Sequence, residues 1–254
     1  MGIEESLNEF KAVFSIPFPN GVSLSLFGQK ISSLEINETV LVSWIVMAIL
    51  IGASLLLTRK LSRIPKGAQI FLEWAVDFLN GFSKAQFGKR SQVFGPYIGT
   101  IFLFILLANL LPAVSPVAIR LFGVEPPFAL KPPTRDINLT AALAMMTIII
   151  VLISGLKARG PVGWFKNLFT PIAFMLPFNL LEYIIKPLSL CLRLYGNILG
   201  GYIIMSLIEN AMPIPLFAPA ALSVYFDFFD GMIQAVVFTF LTTLYISEAV
   251  GSHE

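Results

Sequence analysis

The sequence predicts an all-α, polytopic membrane protein with five transmembrane helices, an interfacial amphipathic helix, and a long, strongly tilted helix pair near the C-terminus. Three observations predict it. Only 13% of the 254 residues are charged while 56% are hydrophobic, whereas a soluble domain carries about 25% charge to cover its surface. Thr39–Thr58, Ser91–Ile119 and Asn138–Leu156 contain no Asp, Glu, Lys or Arg, each over the roughly 20 helical residues needed to cross a hydrocarbon core. The chain is also rich in Phe (23), Gly (18) and Pro (17), a composition that suits broken membrane helices better than a lipid-facing barrel.

The same composition narrows the function classes. A formal net charge of +2 says little about partners, and no basic stripe suggests nucleic acid. A single cysteine, Cys191, forms no intrachain disulfide, and a single histidine, His253, cannot build a metal cluster. The chain has no Walker A, Gly-rich dinucleotide or GxSxG pattern. No catalytic site, metal or bound cofactor is therefore expected on it.

In chain order, the whole of 1–254 reads as one integral membrane domain. Residues 1–38 form an N-terminal tail with Glu4, Glu5 and Glu9 where a signal peptide would carry bases, so the tail is expected to be retained. Span 1 (39–58) is followed by Arg59, Lys60, Arg63 and Lys66. Short loops rich in Lys and Arg stay in the cytoplasm, which puts the tail outside. In 67–90, Ile70, Trp74, Phe78 and Phe82 recur every fourth position while Gln69, Glu73, Asp77 and Lys84 remain for a polar side. This reads as an amphipathic helix at the cytoplasmic interface, with an ordinary cytoplasmic loop as the alternative.

Span 2 (95–119) leads to a Pro-rich outer loop from Arg120 to Asp136, and span 3 (138–156) returns to Lys157, Arg159 and Lys166. The run 170–210 contains Glu182, Lys186 and Arg193 and is about twice as long as a perpendicular span. Either it bends at Pro187 or it lies strongly tilted. After Pro213 and Pro215 a final helix (216–250) brings His253 and Glu254 to the cytoplasm. The short loops and the retained N-terminal tail suggest a bacterial plasma (inner) membrane. No internal repeat is evident, which disfavours an inverted-repeat transporter.

Two helices carry lines of polar residues. At about 100° per residue, Glu182, Lys186, Ser189, Asn197 and Gly200 all fall within about 40° of Arg193. One arginine at mid-membrane costs about 2.5–3.5 kcal/mol on insertion scales, so this stripe calls for a function. A purely structural pairing of Arg193 with a carboxylate of the same chain remains the alternative. On the last helix Asp227, Asp230, Tyr245 and Glu248 lie within about 40° of Gln234. Acids lined up inside a membrane mark ion paths, although Asp230 and Glu248 also fit as helix-end acids facing headgroups. Gly196 and Gly200 have GxxxG spacing, which permits close approach of a neighbouring helix.

The stretch Pro187-Leu-Ser-Leu-Cys-Leu-Arg193-Leu-Tyr-Gly-Asn197 resembles the signature of the a subunit of F-type ATP synthases. Pro65-Lys-Gly-Ala-Gln69 with Glu73, Asn109-Leu-Leu-Pro112, and Asp136-Ile-Asn138-Leu-Thr140 resemble further segments of that family, as do Gln234 and Tyr245. The resemblance runs from about Pro65 to Tyr245. It implies a stator subunit beside a c-subunit ring, held by peripheral-stalk b subunits and the remaining synthase subunits within membrane lipid. Ions, H+ with Na+ also open, would enter by one aqueous half-channel, ride the ring carboxylates and leave by a second, offset half-channel.

By the same resemblance Arg193 stands between the channels, where its permanent charge drives protons from passing carboxylates and blocks leakage. Asp227 and Gln234 line the outer half-channel, and Asn197 and Ser189 lie near the rotor. Glu182 lies toward the cytoplasmic exit, with Tyr245 and Glu248 on the last helix. Relatives usually carry a Glu or His at the position of Tyr202 and its counterpart at Asp227. A phenol there is suited to hydrogen bonding more than to proton relay. A secondary transporter binding an anion at Arg193, and a non-transporting scaffold, are the readings of other classes.

Overall fold

The computed structural model describes residues 12–17, 24–26, 29–31, 33–59, 62, 65–122, 131–169, 174, 176–211, 222 and 224–251. Five segments are long and apolar enough to cross a membrane: Glu38–Thr58, Gln69–Ala113, Ile137–Lys166, Leu176–Met205 and Phe228–Val250. The protein is therefore an α-helical, multi-pass membrane protein.

The N-terminal segment adds a feature that the reading of 1–38 as a tail did not contain. Strand β1 (Ala12–Pro17) pairs antiparallel with β4 (Ser33–Asn37), and β2 (Leu24–Leu26) pairs with β3 (Gln29–Ile31). Ser33-Leu-Glu-Ile-Asn37 alternates polar and apolar residues, the period of a strand. Helix α1 (Glu38–Thr58) starts directly after β4.

Helix α2 (Ala68–Phe87) lies between Gly67 and Gly88. Both glycines have positive φ, 59° and 56°, a conformation that costs other residues and so stops the helix at each end. A 3-10 turn (Gly88–Arg90) then reverses the chain into α3 (Ser91–Phe122). The two helices meet at small residues, since a Cβ on Gly95 would touch Ser83 Oγ at 3.3 Å and one on Gly99 would touch Leu79 at 3.6 Å. On the opposite side of α2 the rings of Phe71, Trp74 and Phe78 form an exposed ladder with centroids 6.0 Å apart.

The outer-loop residues 123–130 fall outside the described residues. A 3-10 turn (Pro133–Arg135) then leads into α4 (Ile137–Leu168). Asp136 caps α4, its Oδ1 accepting from the Asn138 backbone at 2.9 Å and the Asn138 side chain at 3.0 Å. The helix runs well past residue 156 but is broken at Gly160 (φ 69°, ψ 161°), followed by Pro161. Proline removes a donor, and glycine alone takes this backbone cheaply, so the break sits where both occur. Its second arm carries Trp164 back onto Tyr183, with Nε1 donating to the phenol oxygen at 3.2 Å.

Helix α5 (Leu176–Ala211) stays continuous through Pro187. Of the alternatives for this region, a bend into two pieces is not what forms. Its 36 residues make a rod of about 54 Å, far longer than a hydrocarbon core of about 30 Å. Residues 212–221 lie outside the described residues; a π-helical segment (Val224–Asp230) then precedes α6 (Gly231–Val250). Gly251, left-handed at φ 70°, closes α6 by donating to the carbonyls of Ser247 and Glu248.

The core joins four helices. Ile101 and Ile105 of α3, Leu143 and Ala144 of α4, Leu190, Cys191 and Leu194 of α5, and Ala235 and Phe238 of α6 form one buried cluster. A second cluster, with Phe87, Ile98, Ile148, Val151, Ile246 and Val250, fills the other end. Helix α1 adheres at the edge through Val42 and Val46 against Ala108. This leaves one whole face of α5 uncovered, with Leu181, Ile185, Leu188 and Leu192 all about half exposed.

Candidate functional site

The polar stripe of α5 runs along the border between its uncovered face and α6. Leu190, Cys191 and Leu194 turn into the core, which forces Arg193 to the outside, where it is exposed. Its guanidinium makes no hydrogen bond or ion pair among the described residues. It borders an open trough with Ile185, Leu188, Ser189 and Leu192. Asn197 and Gly196 are exposed on the same side. A Cβ placed on Gly196 or on Gly200 would meet nothing within 4 Å, so neither glycine is needed for packing inside this chain.

The intrachain pairing considered for Arg193 is taken by Lys186 instead. Lys186 Nζ lies 2.9 Å from Glu182 Oε1 and 2.8 Å from Glu248 Oε2, bridging α5 to the end of α6. It also lies 5.1 Å from the centre of the Tyr245 ring. These four residues line a polar pocket closed on its far side by the second arm of α4. Arg159 donates to the Glu248 carbonyl at 3.2 Å, and Asn179 donates to the Leu168 carbonyl at 2.8 Å, which holds that arm over the pocket. The carboxylates are the exposed members, with side-chain exposures of 48% for Glu182 and 60% for Glu248 against 14% for Lys186. The ammonium is thus held fixed while both acids reach open space.

Towards the other end of α5 the polar groups face α6 and the outer turn. Asn197 Nδ2 donates to Gln234 Oε1 at 3.1 Å, and Gln234 is buried. Tyr202 lies about half a turn away from the Arg193 stripe and packs under Arg135, whose guanidinium carbon sits 3.4 Å from the ring centre. Asp227 belongs to the π-helical segment, and its side chain lies outside the described residues. Asp230 is half-buried at the head of α6 and makes no side-chain cap bond there.

The polar residues of the last helix therefore do not make one exposed line. Gln234 points into the bundle, whereas Tyr245 and Glu248 serve the pocket around Lys186. A π-helical turn also has more residues per turn than an α-helix, so a 100° step does not carry the angle from Gln234 back to Asp227. Two contributors had no signal of their own in the sequence. Arg135 was legible only as a loop residue beside Asp136, and Trp164 only as an aromatic beyond a predicted span. A Gly-Pro pair at 160–161 was the available sign that the chain turns there and continues.

Comparison with known proteins accords with this architecture. A profile of the ATP synthase A chain family matches residues 40–247. The chain is 37% identical over 220 residues to an ATP synthase subunit a of Moorella thermoacetica, covering 87% of this chain and 94% of that protein. It is 40% identical over 220 residues to an ATP synthase subunit a of Gloeobacter violaceus, covering 86% and 85% respectively. With the family profile covering residues 40–247 and relatives 37–40% identical over 220 residues, the chain belongs to the ATP synthase A chain family.

Proposed function

We propose that this chain is the stator subunit that couples ion flow to rotor rotation in an F-type ATP synthase, with Arg193 separating two half-channels. One observation carries the reading: an always-charged guanidinium on a membrane helix is exposed and has no partner among the described residues. A charge left so in lipid is costly, and the cost is relieved if another polypeptide supplies a carboxylate there. The c-subunit ring would be that polypeptide, its helices approaching over Gly196 and Gly200. Each arriving carboxylate would be held ionised beside Arg193, releasing its ion into one channel and taking up another from the second.

The pocket of Glu182, Lys186, Tyr245 and Glu248 is the proposed cytoplasmic half-channel. Asn197, Gln234, Tyr202 and Asp227 belong to the proposed outer one, with Ser189 beside the ring. The N-terminus lies outside and the C-terminus in the cytoplasm, in agreement with the Lys and Arg clusters after α1 and within α4. The membrane is the plasma membrane of a bacterium, and the b subunits of the peripheral stalk anchor the chain. The carried ion is H+, with Na+ as the variant the rotor's own site would select. One charge crossing 100 mV supplies about 2.3 kcal/mol, so several ions are needed for each ATP, and the chain itself holds no catalytic site.

The experiment is Arg193→Ala and Arg193→Lys in the assembled synthase. Both variants should assemble with the ring and lose ion-driven ATP synthesis by at least about a hundredfold, because a desolvated ammonium sheds the charge that a guanidinium keeps. Synthesis at near-normal rates in Arg193→Ala would rule the role out.

A further inference from the structure

The turn Pro133–Arg135 is buried although it carries a charge. It packs against α1, α3, α4 and α5 together. Thr134 Oγ1 donates to Asn109 Oδ1, and Asn109 Nδ2 donates to the Gly231 carbonyl at 3.3 Å. The turn is thereby tied both to α3 and to the first residue of α6, while Asp136 fixes its other end as the cap of α4. Held in this frame, Arg135 is only 6% exposed, and its guanidinium carbon sits 3.4 Å from the centre of the Tyr202 ring of α5. Tyr202 is 36% exposed, and its hydroxyl has no hydrogen bond among the described residues.

We infer that Arg135 is a positioning residue for the outer ion path: it clamps the Tyr202 ring so that the phenol hydroxyl stands as a fixed hydrogen-bond station beside that path. The inference rests on the stator reading above. Burial of a charge in this region is disfavoured unless something offsets it, and a desolvated cation–π contact provides part of that offset. The plane of the guanidinium matters, since a flat cation can stack on a ring face and a compact ammonium cannot do so equally well. A hydroxyl both donates and accepts. It can take a proton from water on one side and release its own to water on the other, ending unchanged and uncharged. Where a carboxyl or imidazole would hold the proton, a phenol can only pass it, so its orientation has to be fixed by something else. The outer turn supplies that.

The test uses the complete synthase in inverted membrane vesicles, measuring ATP-driven proton pumping and its solvent deuterium isotope effect. Recovery of this chain with the rotor ring serves as the check on assembly. Tyr202→Phe keeps the ring and the stack but loses the hydroxyl; it should assemble normally, pump about threefold to tenfold more slowly, and show a changed isotope effect. Arg135→Gln should slow pumping to a similar extent, Arg135→Lys should fall between, and the Arg135→Gln/Tyr202→Phe double variant should be no slower than the slower single. Wild-type pumping and isotope effect in Tyr202→Phe would overturn the inference, even if Arg135→Gln failed to assemble. So would additive losses in the double variant. Arg193→Ala in the same vesicles separates the two readings: if it pumps normally the stator role itself fails, whereas if it is inactive while Tyr202→Phe is normal, only the present inference does.

Discussion

Asn197 on α5 donates its side-chain amide to Oε1 of Gln234 on α6 at 3.1 Å. The acceptor is buried and the donor is on the exposed side of α5, one helical turn from Arg193. The pair therefore fixes the angular relation of the two helices at the level of the arginine. It also presents an amide, which stays neutral, next to a group that never loses its charge.

Breaking that bond should disturb coupling more than folding. Asn197→Ala and Gln234→Ala should each slow ion-driven ATP synthesis by about threefold to tenfold, the equivalent of one hydrogen bond of about 0.5–1.5 kcal/mol. The double variant should be no worse than the worse single, because the two act through one contact. Synthesis rates in vesicles check this, and fully additive losses would show that the residues work separately.

Lys186 holds Glu182 and Glu248 at once. Lys186→Met would leave two like charges facing each other across α5 and α6 and should open the pocket between them. Because both acids are largely exposed, the loss of stability is expected to be small, about 1 kcal/mol or less, while turnover falls by several-fold. Thermal unfolding of the purified complex together with its ATP synthesis rate separates the two effects. A large fall in melting temperature with normal turnover would argue against a channel role.

Glycines at two sites should respond in opposite ways. A Cβ at Gly231 would come within 2.9 Å of Asn109 Cβ, so Gly231→Ala pushes α6 from α3 and should destabilise the chain by about 1–3 kcal/mol. At Gly196 and Gly200 a Cβ meets nothing within 4 Å. Gly196→Ala and Gly200→Ala should leave this chain's yield and stability unchanged and yet lower synthesis in the assembled enzyme. Normal synthesis in both would mean that no partner approaches this face closely.

Asp136→Ala removes the cap of α4, in which one carboxylate oxygen accepts two bonds from Asn138. The expected cost is about 1 kcal/mol, with Asp136→Asn retaining most of the stability because an amide oxygen can still accept. Thermal melts of the two variants give the comparison, and equal losses would show that the negative charge, and not the cap geometry, is what counts.

The sequence by itself determined that the chain is an α-helical membrane protein and which residues share a line with Arg193. Both follow from local rules: charge-free runs of membrane length, and a 3.6-residue period that brings Glu182, Lys186, Ser189, Arg193 and Asn197 to one side of α5. The motif around Arg193 carried the family as well. Tertiary structure alone decided which charges meet. Glu248 reaches Lys186 from another helix, Arg135 finds Tyr202 from a loop, and the second arm of α4 returns over the pocket after Gly160; none of these has a period or a spacing to betray it. A helix's own pattern fixes where a side chain leaves its axis, whereas the partner waiting there depends on how the helices pack. That packing is set by the buried apolar contacts of all four core helices together.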